Sequence, residues 1–127
     1  MNSSLEKWLY WGSTGLFGAF MVFSGVMYFT NPDVPAAFTK LGFPQWFRVE
    51  LATAKLLGAL ALVAPLPAAF RWVKEWAYAG FAINISSAVL AHYFMDGLAS
   101  AFAPVPFLVV LLASRVLWGR RHANVQK

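Results

Sequence analysis

Between Trp8 and Trp118 the chain is a succession of four long apolar runs, and nothing else constrains its fold as tightly. They cover about 8–29, 46–64, 76–95 and 99–118, each close to the ~20 residues a helix needs to cross the hydrocarbon of a bilayer. A soluble domain of 127 residues that is 60 % hydrophobic and only 12 % charged could not hide all four. In lipid, every backbone N–H and C=O must be bonded within its own segment, so the runs are read as helices. The expected fold is all-α: an integral membrane four-helix bundle forming a single domain over 1–127. The breaks fit this reading. Thr30-Asn31-Pro32 closes the first run, Pro44 precedes the second, Pro65-Leu66-Pro67 follows it, and Asp96-Gly97 ends the third. The alternative is three spans, with the last run, which holds Pro104 and Pro106, lying re-entrant.

Four spans put both termini and the second connection on one side. That side carries Lys7, Arg71, Lys74, Arg115, Arg120, Arg121 and Lys127, against Lys40 and Arg48 opposite. The excess of basic residues places both termini in the cytoplasm of a multi-pass cell-membrane protein. The net charge of +5 is therefore read as a topology signal rather than a nucleic-acid surface, because the basic residues flank apolar runs instead of gathering on one wet face. The absence of cysteine excludes disulfides, thiolate metal sites and cysteine redox relays. Trp8, Trp11, Trp46, Trp72, Trp76 and Trp118 fall near the run ends, as do Tyr10, Tyr28, Tyr78 and Tyr93, where amphipathic rings favour the headgroup zone. The connection FTNPDVPAAFTKLGFPQW suggests either a short amphipathic helix on the outer face, with Ala36, Ala37, Leu41 and Phe43 inward, or a plain connector. RRHANVQK reads as a solvated tail with His122 exposed.

Polar residues inside such runs are costly and therefore informative. At about 1.5 Å per residue, Lys55 lies about 14 Å and Glu50 about 21 Å from the cytoplasmic end of the second run. The same count puts Asn84, Ser86 and Ser87 level with Lys55, and His92, Asp96, Ser24 and Tyr28 in an outer layer with Glu50. Lys55 shares a helical face with Leu51, Ala52, Gly58 and Ala59, where small side chains let a neighbouring helix approach. His92 and Asp96, four apart, can meet on one face. The candidate ligand-binding set is Lys55, Asn84, Glu50, His92 and Asp96. Each has a structural reading beside it: a helix-end dipole partner for Glu50, an interfacial helix end for His92 and Asp96, interhelical hydrogen bonding for Asn84 and the serines, snorkelling for Lys55. One histidine with carboxylates is a poor zinc or iron pattern, so no metal is expected. No phosphate loop or nucleophile–base–acid set is present, which leaves a stand-alone enzyme without support.

YWGSTGLFGAFMVFSGVMYFTNP, LGFPQWF, KLLGALALVAP and KEWAYAGFAIN followed by AH resemble the DoxX-like membrane proteins in order and spacing over most of the chain. The resemblance implies a four-helix membrane bundle, an intramembrane lysine at Lys55 and a histidine at His92. Many relatives carry an aspartate where this chain has Asn84, so a lysine–aspartate proton pair is not available here. The resemblance also implies an accessory subunit of a membrane redox assembly, with a soluble or membrane oxidoreductase as partner. No intrinsic cofactor is expected, and a quinone is the implied ligand. Phe17, Phe23, Trp46, Phe81 and Phe107 are candidates to line its slot, with Lys55, Asn84 or His92 bonding a carbonyl oxygen. Two other classes stay open: a small-molecule binding or transport protein working as a homo-oligomer, and a structural subunit whose polar residues hold helices together.

Overall fold

A computed structural model describes residues 3–126, with side chains through Arg121; His122, read as exposed, lies outside the described side chains. The described residues are helical, without strands. The four long helices are α1 (Ser3–Thr30), α3 (Gln45–Val63), α4 (Arg71–Asp96) and α6 (Val105–Gln126), with short helices α2 (Asp33–Lys40) and α5 (Leu98–Ala101) between them. A 3-10 turn, Ala68–Phe70, leads into α4. The long helices close a ring, α1 on α3, α3 on α4, α4 on α6 and α6 back on α1.

The boundaries follow local chemistry. Pro44, extended at ψ 159°, starts α3, and Ala64, also extended, ends it before Pro65. Gly97, at φ +94°, ends α4 in a conformation that a side chain would strain. One expectation needs correction. The fourth run is not one helix from 99 to 118. Pro104 and Pro106 cannot donate backbone hydrogen bonds, so the chain makes a separate turn at α5 and restarts at Val105, where proline is tolerated in the first turn. The C-terminal residues read as a solvated tail continue α6, which runs to Gln126.

The core runs down the ring's centre through Phe17, Met21, Leu62, Phe81, Ile85 and Leu111. Phe17 and Phe81 meet edge to face with ring centroids 5.0 Å apart. Outward faces are equally apolar: Phe20, Leu57, Ile83 and Val109, one from each long helix, are 45–68 % exposed. A continuous apolar outer surface of this kind suits a lipid solvent and not water. By length and composition, Ser3–Thr30 and Leu98–Arg121 are sufficient to cross a membrane. Within α3, Arg48, Glu50 and Lys55 lower its apolar character.

At one end, the start of α1 meets the end of α6: Glu6, buried, pairs with Arg120 at 3.4 Å. There too Lys74 of α4 donates to the Leu62 carbonyl at 2.7 Å, at the C-terminus of α3. Tyr10, Tyr78 and Trp118, expected in a headgroup belt, are instead buried in this end of the core. Tyr78 Oη lies 2.7 Å from Ser114 Oγ, which also bonds Thr14 Oγ1. At the other end α2 folds across α1 and α3. It is the short helix anticipated there, but Phe38 is its buried residue while Ala36 and Ala37 face outward.

Candidate functional site

α3 presents Ala52, Lys55, Ala59 and Leu62 inward, so Lys55 is carried into the interior by the spacing of a buried face and is only 7 % exposed. Its small neighbours allow α1 to approach closely. Side chains of a helix lean toward its N-terminus, which for α3 is the α2 end. Lys55 Nζ therefore climbs toward the end of α1, where it donates to Ser24 Oγ at 2.8 Å and sits 3.9 Å from the centre of the Tyr28 ring. Ser24 and Tyr28 are thus the partners of Lys55 rather than members of a separate outer layer. Counting residues along helices locates Cα atoms; a lysine stem spans the remaining distance. Arg48 donates to the carbonyl of Tyr28 and ties that turn of α1 to α3.

On its other side Lys55 faces a cavity of about 550 Å³ between α3 and α4, capped by Phe38 of α2. Its wall is mainly apolar and aromatic, with Tyr28, Phe38, Phe43, Phe47, Trp76 and Phe81 supplying the rings. Lys55, Asn84, Ser87 and His92 are its polar points. Phe81 is seated on Gly58, where a Cβ would stand 2.7 Å from the ring, so the glycine lets this wall of the cavity close. Leu57, Trp76 and Ile83 also line it and are 62–72 % exposed, so the cavity opens sideways onto the apolar outer surface. From Val73 to His92 its α4 wall is about 28 Å long. A large, mostly apolar recess with a few convergent polar groups is the ordinary form of a small-molecule site.

The five candidate residues separate. Lys55, Asn84 and His92 line the cavity together. Asp96 lies at its rim, 3.2 Å from Lys40 Nζ of α2 and 3.9 Å from His92 Nδ1, linking the cap to the end of α4. Glu50 is exposed, is not part of the cavity wall, and makes no hydrogen bond or ion pair among the described residues. Of the aromatics proposed for the slot, Phe81 lines it and Phe17 backs Phe81, whereas Phe23 and Trp46 point outward and Phe107 meets Phe20 edge to face. Phe43, expected to face inward, lines the cavity, whereas its cap neighbours Phe38 and Phe47, which meet each other edge to face, were not anticipated as lining. Their spacing around the outer connection was the available signal. No cluster of metal-ligating side chains occurs among the described residues.

Residues 12–114 match the model of the DoxX-like family, which is most of the chain, and the protein belongs to that family. No curated protein and no solved structure matches the chain.

Proposed function

We propose that this DoxX-like membrane protein is a four-helix bundle crossing the cell membrane with both termini cytoplasmic, and that it holds a quinone in the α3–α4 cavity as an accessory subunit of a membrane redox assembly. The basic residues at the Glu6–Arg120 end support the orientation. The apolar faces on all four long helices support the crossing. One observation carries the ligand reading: a buried lysine whose amine faces an aromatic, laterally open cavity. A flat ring fits between Phe81 and the cap aromatics, and a carbonyl oxygen accepts from Lys55, with Asn84 or His92 within the same wall. The lateral opening gives an apolar ligand access directly from lipid.

Trp76 lines the cavity and provides the probe. Decylubiquinone titrated into purified protein in nanodiscs is expected to quench tryptophan emission saturably, with much of the quench lost in Trp76→Phe. Lys55→Met is expected to weaken binding by roughly tenfold or more, the value of a hydrogen bond from a charged donor. Absence of saturable binding to the unsubstituted protein overturns the reading.

The length of the cavity favours a second reading, in which it is a path for a small molecule. Flux in proteoliposomes that disappears in His92→Ala would support transport; no flux from protein of normal fold would remove it.

A further inference from the structure

We propose that the head group received by Lys55 is anionic: the ligand of the α3–α4 cavity is an acidic amphiphile whose carboxylate, enolate or phenolate supplies the counter-ion that the protein leaves out. The inference rests on the cavity reading above but not on the ligand being a quinone. The chain has five acidic residues, and none answers Lys55. Glu6 pairs with Arg120, Glu75 with Arg115 and Asp96 with Lys40. Asp33 and Glu50 are exposed. Glu50, five residues before Lys55 on α3, is displaced by about 140° around the helix.

The second buried lysine shows what a compensated site looks like in the same fold. Lys74 donates to the Leu62 carbonyl at the C-terminal end of α3, where the helix dipole is negative. Lys55 lies in the interior of α3, where all nearby carbonyls serve the helix. Its ammonium has three donors. One goes to Ser24 Oγ and the Tyr28 ring face receives the charge from another side, both neutral groups. Lys55 has no other partner among the described residues, and it borders the cavity. The other polar points there, Asn84, Ser87 and His92, can all donate hydrogen bonds, and no carboxylate lines the wall. A neutral carbonyl would satisfy the free donor and leave the charge. An anion satisfies both, while the apolar wall extending toward Trp76 receives the body of the molecule.

The test compares isosteres that differ in charge on the unsubstituted protein in nanodiscs: laurate against methyl laurate, and ionised hydroxynaphthoquinone against its methyl ether, each displacing a fluorescent reporter. The anion of at least one pair is expected to bind roughly tenfold or more tightly than its neutral isostere, the gain of a charge-assisted bond. Lys55→Met is expected to abolish that preference, the anion losing more affinity than its neutral isostere until the two bind equally, and Ser24→Ala to retain it. Equal affinity within both pairs overturns the inference, whether or not decylubiquinone binds. If laurate alone is preferred and no quinone binds, the acidic ligand stands and the quinone reading falls; if the quinone pair alone is preferred, both stand.

Discussion

Replacing Lys55 with methionine distinguishes a lysine kept for a ligand from one that holds helices together. Methionine retains the length of the stem and removes the charge. If α3 crosses the membrane as proposed, the lysine charge deep within it costs about 2.5–3.5 kcal/mol on insertion scales. Against this, the hydrogen bond to Ser24 returns about 1.5 kcal/mol, and the contact with Tyr28 about 0.5–2 kcal/mol. The terms nearly cancel. Ser24 is left without a buried charge to satisfy, and the methionine side chain packs against the same small-residue face. The expected result lies between about 1 kcal/mol against the variant and about 1.5 kcal/mol in its favour, a melting temperature within about 6 °C of the unsubstituted protein. Thermal unfolding of ligand-free protein in one fixed detergent, followed by far-UV circular dichroism, reads it directly. A loss exceeding about 2 kcal/mol would refute the reasoning, because it would mean that the lysine's existing contacts outweigh the burial of its charge.

The buried hydroxyl chain should behave in the opposite way. Ser114→Ala leaves both Thr14 and Tyr78 short of a partner, so a destabilisation of about 1–2 kcal/mol is expected in the same assay, with no change in quinone affinity. Gly58→Ala drives a methyl into the Phe81 ring; with Phe17 packed on that ring, relief comes from the cavity side, and decylubiquinone affinity should fall several-fold with a stability loss of about 1–3 kcal/mol. Lys40→Ala breaks an exposed ion pair to Asp96, and its effect on melting should correspond to less than ~1 kcal/mol.

The helices were legible where local signals are strong. A run bounded by Pro44 and Pro65 predicts 46–64, and α3 is Gln45–Val63. Asp96-Gly97 marks the end of α4. The fourth run was less legible because its apolarity continues through Pro104 and Pro106 while the backbone hydrogen bonding does not. At the site, small residues around Lys55 correctly indicated a close helix contact, since Ala52 and Ala59 are buried beside it. Its partners were not legible from depth alone, because a long side chain leaning toward the N-terminus of its helix leaves the layer of its own Cα. Thr14 and Ser114 left no periodic signal: each is a single small hydroxyl in an apolar run, and 100 residues separate them. Glu6, near the chain start, carries no local signal of burial, yet it is buried by the end of α6, a contact that requires knowing how α1 and α6 pair.

Photolabelling tests the proposed quinone site most directly. A quinone carrying a photoreactive group, irradiated with purified protein in nanodiscs and mapped by peptide mass spectrometry, is expected to label the cavity wall on α3 and α4 around Gly58, Phe81 and Asn84. The labelling should be competed by decylubiquinone and lost in Lys55→Met. Labels spread over the outward residues of α1 and α6, such as Phe20 and Val109, and indifferent to competitor, would contradict the assignment of the Lys55 cavity as the binding site.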